Sequence, residues 1–348
     1  MDTKDQERRE TLSIFASGLV AAAIVALGVP WVAEAQTPIV IKFSHVVATD
    51  TPKGKAAEKF KELAERRLPG RVKVEIYANS ALYKDKEEME ALQLGAVQML
   101  APSLAKFGPL GLREFEVFDL PYLFDNYDEL HKVTRGPVGA ELLKRLEPKG
   151  IIGLAFWDNG FKEMSANKPL RTPADFKGLK MRIQSSKVLD QQMRDLGAIP
   201  QVMAFSEVYQ ALQTGVVDGT ENPTSNLYTQ KMHEVQKYLT LSDHGYVGYA
   251  VITNKKFWDG LPPDVRSGLE AAMKEATVYA NDIAKSENQE ALEAVRKSGK
   301  TQIITLTPDE RKAWKKALMG VHREQESRIG KETIDAVYKA TGFDPNRL

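Results

Sequence analysis

The sequence predicts an α/β protein of two lobes, and three observations carry that expectation. Strand-like and helix-like segments alternate from residue 39 onward. The alternation restarts near residue 151, and one uninterrupted helical pattern after residue 263 is too long for a single small domain. At 348 residues the chain exceeds one average domain, and 43% hydrophobic with 27% charged residues is ordinary soluble-protein composition, able to bury a large core.

Residues 1–35 stand apart from that pattern. An apolar run from Leu12 to Val29, broken only by Ser and Gly, follows Arg8 and Arg9 and leads to Ala33-Glu34-Ala35. This is the n-region, h-region and small-x-small cleavage site of an export signal. The run is also just long enough to span a bilayer, so an uncleaved anchor is the alternative, against which the Ala-x-Ala site speaks. Arg8-Arg9 raises the twin-arginine route, which Glu10-Thr11-Leu12 fits only loosely, and the export route stays open. Removing residues 1–35 takes three basic and five acidic residues from 48 and 47, leaving a net charge of +3. So mild a balance implies no nucleic-acid partner. With no cysteine there is no disulfide, thiolate metal site or lipidated Cys.

The elements follow in order. Ile39 to Ser44 is β-like, and Pro52 to Arg67 carries Ala56, Phe60, Leu63 and Ala64 at helical spacing before the Leu68-Pro69-Gly70 break. Arg71 to Tyr77 alternates Val72, Val74 and Ile76 with charged residues, which predicts a strand. A helix is expected over Asp85 to Leu94, stopped by Gly95, and a short strand over Ala96 to Leu100. Further strands are read at Ile151 to Phe156 and Lys180 to Gln184, with Asp158-Asn159-Gly160 as a turn. Thr172-Pro173-Ala174-Asp175 begins a helix with a capping acid, and Ser206 caps another that ends at Gly215. Val216 to Asp218 reads as a short strand running into Gly219-Thr220-Glu221-Asn222-Pro223, leaving Asn222 at a strand's carboxyl end, where α/β sheets bind ligands. A strand at Tyr249 to Thr253 and Leu261-Pro262-Pro263 precede the helical pattern to about Lys297. That helix would be about 50 Å long and would run along both lobes, with two strand crossings as hinges.

Arg182 sits in Lys180-Met181-Arg182-Ile183-Gln184, where Met181 and Ile183 face a core and Arg182 the other side. A guanidinium there matches a carboxylate through two parallel hydrogen bonds; the plainer alternative is a surface arginine. Asn222 can donate to the same carboxylate or serve only as a turn residue. Lys162 follows the Asp-Asn-Gly turn and enters the second lobe. Phe205 either faces the cleft or staples a helix, and His45 and His244, at strand ends, either donate to a ligand or are structural. No HxxxH pair, Gly-x-Ser-x-Gly, Walker loop or Gly-x-Gly-x-x-Gly occurs, so metal hydrolysis, serine hydrolysis and nucleotide binding lack support.

Four ordered motifs carry a resemblance: Asp158-Asn159-Gly160-Phe161-Lys162, Lys180 to Gln184, Met203-Ala204-Phe205-Ser206-Glu207-Val208-Tyr209-Gln210-Ala211-Leu212-Gln213, and Val217 to Pro223. Together they resemble the solute-binding subunits of tripartite ATP-independent periplasmic (TRAP) transporters, most closely the C4-dicarboxylate-binding DctP type. The resemblance implies the two-lobed periplasmic binding protein fold, with hinge strands and a long helix shared by both lobes. Lobe I would hold residues 36–159 and 249–285, and lobe II residues 160–248 and 286–348. It implies a non-enzymatic, exported, periplasmic protein without cofactor, which delivers a small carboxylate to integral membrane permease subunits. Arg182 stands where the family's arginine forms the carboxylate salt bridge, Asn222 where an asparagine helps hold it, and Phe205 where an aromatic packs by the ligand. Lys162 replaces an arginine of the sialic-acid branch and Ser103 a glutamate, and both changes suit a small dianion such as malate, succinate or fumarate. One carboxylate would then go to Arg182 and Asn222, the other to Lys162 with His45, Ser103 or His244. The alternatives are another organic acid, such as a 2-oxo or aromatic carboxylate, a sensor subunit, or an exported hydrolase using a cleft acid pair.

Overall fold

The computed structural model describes residues 37–346, so the export signal expected over residues 1–35 lies outside the described residues. The strands are β1 (Ile39–Ser44), β2 (Val72–Tyr77), β3 (Met99–Leu100), β4 (Ile151–Phe161), β5 (Glu163–Ala166), β6 (Lys180–Ile183), β7 (Ile199–Val202), β8 (Gly219–Asn222), β9 (Tyr238–Leu241), β10 (Tyr246–Asn254) and β11 (Gln302–Thr305). They form two sheets, ordered β2-β1-β3-β10-β4 and β11-β9-β5-β8-β6-β7. In the first sheet β1 is parallel to β2 and β3, while β10 runs antiparallel to β3 and β4. Each sheet is one lobe of an α/β protein.

Local chemistry sets the first lobe's frame. Helix α1 (Pro52–Arg67) starts where Thr51 Oγ accepts the Gly54 N–H at 3.0 Å and Pro52 fills the first turn. Its Ala56, Phe60, Leu63 and Ala64 face β1, and Phe60 meets Phe43 edge-on with ring centroids 6.0 Å apart. Gly54 is required by a close approach, since a Cβ there would lie 2.4 Å from the Ala48 carbonyl oxygen. On the sheet's other face Phe107 stacks on Phe115 at 4.5 Å within a cluster that includes Phe118 and Phe156. The second lobe buries Met164, Met181, Ile183 and Trp314 on one face of its sheet and Val208, Leu212, Leu227 and Leu239 on the other.

The chain crosses between lobes at Lys162 and returns at residues 242–245, and the two crossings are tied by Lys162 N–H donating to Gly245 O at 2.9 Å. A helix of 36 residues, Pro263–Ser298, is the third link: Leu269, Ala272, Met273 and Ala276 join the first lobe's core, Val295 the second's. Pro at its start and Gly299 in the left-handed conformation at its end fix its limits. Trp314 and Leu318 then pack in the second lobe, but Val321, Ile329, Ile334 and Val337 return to the first. The helices after the long one thus contribute side chains to both clusters.

Several local expectations need correction. Asp158-Asn159-Gly160 is no turn but part of β4, because tertiary partners absorb the turn-forming side chains. Asp158 accepts from Tyr246 Oη at 2.7 Å, and Asn159 donates to Asn226 Oδ1 at 2.9 Å and to Tyr249 Oη at 2.7 Å. Ser206 caps nothing: its segment is a 3-10 turn, Phe205–Glu207, ahead of Val208–Gln213. The helix expected from Thr172 is only the turn Pro173–Phe176, although Asp175 does accept the Thr172 N–H at 2.7 Å. The strand expected at Val216 to Asp218 begins at Gly219 instead, and Val216 is exposed. The helix expected from Asp85 is α2 (Glu88–Gln93), which releases Asp85 into the loop before it.

Candidate functional site

Arg182 is carried by β6 between Met181 and Ile183, both fully buried in the second lobe's core, so strand alternation turns it to the opposite face. There it is 2% exposed rather than a surface arginine. Its Nε and Nη2 both donate to Met203 O, at 3.1 and 2.9 Å, and its guanidinium carbon lies 5.8 Å from the centre of the Phe205 ring. No carboxylate among the described residues lies within ion-pairing distance, and Nη1 is uncommitted. Burial pulls the guanidinium below its ordinary pKa, with Asp85 and Glu221 opposing.

Arg182, Gln184, Phe205, Asn222 and Asn226 form the second-lobe wall of a small inter-lobe cavity. The first-lobe wall is Lys53, Asp85, Ser103 and Lys106, with Val46, Val47, Val247 and Tyr249 between them. Asn222 reaches it from the end of β8, as its place before Pro223 led one to expect, with its amide donating to Thr220 Oγ1 at 3.3 Å. Two hydrogen bonds close the walls on each other: Gln184 Nε2 to Ser103 Oγ at 2.6 Å, and Phe205 N–H to Asp85 Oδ2 at 2.6 Å.

Three expected residues are elsewhere. Lys162 is 1% exposed and donates to Glu221 Oε1 at 2.8 Å, while His244 Nε2 lies 2.8 Å from Glu221 Oε2 and its Nδ1 2.8 Å from Ser242 Oγ. Both are consumed in a buried ion network behind β8. Burial alone would raise the Glu221 carboxyl, but Lys162 and His244 outweigh it and hold it at about 2. Lys162 therefore has no free charge to offer a solute. His45 is also outside the cavity lining; both its ring nitrogens are buried without hydrogen-bond partners among the described residues, and burial together with Lys53 lowers it to about 3, so it is neutral.

Sequence reasoning missed Lys53, Asp85, Lys106 and Tyr249. Lys106 is paired with Asp85 and, at 2.6 Å, with Glu88. Lys53 Nζ donates to Ala101 O at 2.9 Å and lies 3.9 Å over the Tyr249 ring. One signal was available for it: a lysine in a helix's first turn opposes the helix dipole, which favours acids there. A separate groove of about 570 Å³ on the first lobe, between Leu143, Phe156 and Met273, is bordered by the exposed Arg135 and Lys274 and gathers no buried charge.

A cationic cavity closed between two hinged lobes defines a solute-binding protein, one that encloses a small anion rather than transforming it. The family model DctP, bacterial extracellular solute-binding protein, family 7, matches residues 43–328, and the chain belongs to this family. It is 69% identical over 320 residues to the C4-dicarboxylate-binding periplasmic protein DctP of Rhodobacter capsulatus, covering 92% of this chain and 95% of that one. Among solved structures, a TRAP periplasmic solute binding protein of Shewanella oneidensis with bound succinate superposes with a TM-score of 0.85 at 44% identity, covering 87% and 99% of the two chains. One from Pseudomonas aeruginosa with bound L-malate gives 0.81 at 46% identity, covering 82% and 100%. No helix among the described residues is long and apolar enough to cross a membrane.

Proposed function

We propose that this chain is the periplasmic solute-binding subunit of a TRAP transporter and captures a C4-dicarboxylate (malate, succinate or fumarate) for delivery to membrane permease subunits. The observation that carries the reading is Arg182: a guanidinium buried between the lobes with no carboxylate partner among the described residues and its Nη1 uncommitted. A buried unpaired charge is expensive, and a solute carboxylate is the partner that compensates it. Asn222 adds an amide donor and Phe205 an apolar face beside it. The relatives that bind C4-dicarboxylates, succinate or L-malate narrow the class of carboxylate. We assign residues 37–159 and 249–285, with the helices after Leu318, to the first lobe and the remaining described residues to the second.

Thermal unfolding of the protein from Gln36 onward tests this, against malate, succinate, fumarate, 2-oxoglutarate, lactate and a sialic acid. A solute held only by the folded state stabilises it by about 2.7 kcal/mol at a hundred times its Kd. Stabilisation by the C4-dicarboxylates alone is expected; none by any of them would refute the reading. For the permease partner, reconstituted uptake should follow an ion gradient and ignore ATP.

A further inference from the structure

The buried cations around the cavity are not equivalent. Lys162 is neutralised by Glu221 and Lys106 by Asp85 and Glu88, which leaves Arg182 on one wall and Lys53 on the other without a carboxylate among the described residues. Lys53 is 1% exposed, and its ammonium has only one carbonyl oxygen and the face of the Tyr249 ring for company. We propose that Lys53 receives the second carboxylate of the solute and sets the preference for dianions over monoanions, an inference that rests on the dicarboxylate reading above.

Charge balance argues for it. The cavity lining holds Lys53, Lys106 and Arg182 against Asp85 alone. Lys106 is paired with both Asp85 and the buried Glu88, so Lys53 and Arg182 are the cations left without a carboxylate among the described residues, one per lobe, and a dianion supplies one to each. A monoanion at Arg182 leaves Lys53 as it was, so it gains nothing from the first lobe's charge. Position argues for it too. Lys53 is held in place by the first turn of α1, whose start is fixed by the Thr51 cap and by the close packing of Gly54 on Ala48. The ammonium therefore has little freedom to follow a solute that does not reach it.

Binding should then carry a proton. Burial and Lys106 hold Lys53 down at about 7, with Glu88 and Asp85 opposing, and the neighbouring His45 is neutral. At pH 8 a group at about 7 is only about one-tenth protonated, and a carboxylate placed beside it restores the charge. The wild-type protein should take up close to one proton per succinate at that pH.

The test compares succinate with succinamate, whose primary amide keeps nearly the size and shape of the carboxylate it replaces and loses its charge, by calorimetry on wild type and Lys53→Met. Wild type should prefer succinate by at least about 30-fold, and the variant's preference should fall below about threefold, through loss of succinate affinity alone. Unfolding of the solute-free variant checks its fold, in which the lost bond to Ala101 O is set against relief of the lysine's burial. Independently of any variant, titration of wild type at pH 8 in buffers of different ionisation enthalpy reads the proton. A Lys53→Met protein that keeps the wild-type preference overturns the role of Lys53. Wild type that binds no C4-dicarboxylate overturns that role and the functional reading together.

Discussion

Replacing Arg182 by Met should separate binding from folding with opposite signs. In the solute-free protein the guanidinium is an unpaired buried charge anchored by two bonds to Met203 O. Arg182→Met orphans that carbonyl, at about 1–3 kcal/mol, but also relieves the desolvation of the charge, so solute-free stability should stay within about 2 kcal/mol of wild type. Binding has no such compensation, because a carboxylate brought into the cavity would be buried without its cation. The loss should be about 2–5 kcal/mol, or roughly 30-fold to several thousand-fold in affinity. At a succinate concentration a hundred times the wild-type Kd, wild type gains about 2.7 kcal/mol, whereas a variant weakened a thousandfold gains less than about 0.1 kcal/mol. Chemical denaturation with and without succinate measures all four states. Arg182→Lys, which keeps the charge without the planar fork, should fall between. A Met variant that binds succinate within threefold of wild type would refute the assignment.

Other perturbations probe what surrounds the cavity. Glu221→Gln strands the Lys162 charge and should destabilise the protein by about 3–5 kcal/mol at neutral pH, read by denaturant titration. Because the folded Glu221 carboxyl titrates at about 2, below its ordinary 4.5, its contribution is complete above about pH 4.5 and lost as pH falls toward 2; the variant should lack that loss. His45 is held at about 3, below its ordinary 6.5, so the unfolded chain takes the proton first and stability falls as pH drops from 6.5 toward 3. His45→Leu, which breaks no ring hydrogen bond, should flatten that slope in unfolding curves taken at pH 7 and 5. Gly54→Ala would press a methyl group into the Ala48 carbonyl and Thr49, lowering stability by about 1–3 kcal/mol and weakening succinate binding by displacing Lys53.

Much of this was legible in the sequence where the signal is local. The Thr51-Pro52 start of α1, its apolar spacing, the alternation of β2 and the length of the shared helix follow from neighbouring residues alone. Arg182, Asn222 and Phe205 stand out by their motifs, and all three line the second-lobe wall of the cavity. Lys162 and His244 were misplaced because their partner depends on pairing between distant strands. The antiparallel register of β5 on β8 sets Glu163 opposite Asn222, which brings Lys162 to Glu221, and no spacing within either segment discloses that. The Asp-Asn-Gly of β4 misled for the same reason, since its partners Asn226, Tyr246 and Tyr249 are 65 or more residues away. Lys53 was hidden in an ordinary helix start, where only its sign relative to the helix dipole was unusual.

The two bonds that close the cavity, Ser103 with Gln184 and Asp85 with Phe205, bear on timing. At a net of about 0.5–1.5 kcal/mol each, they contribute about 1–3 kcal/mol to holding the lobes together, and the exposed Lys84–Glu207 pair and Gln230–Asn79 bond add little more, so the closed form of an unfilled protein has modest support. The enclosed charges must supply the rest. Capture is therefore set by encounter with an open cleft and varies little among small anions, while residence time depends on how many of the two wall cations a solute neutralises. Selectivity of this kind is exercised on departure: a wrong anion enters as fast as a right one and leaves before it can be handed on.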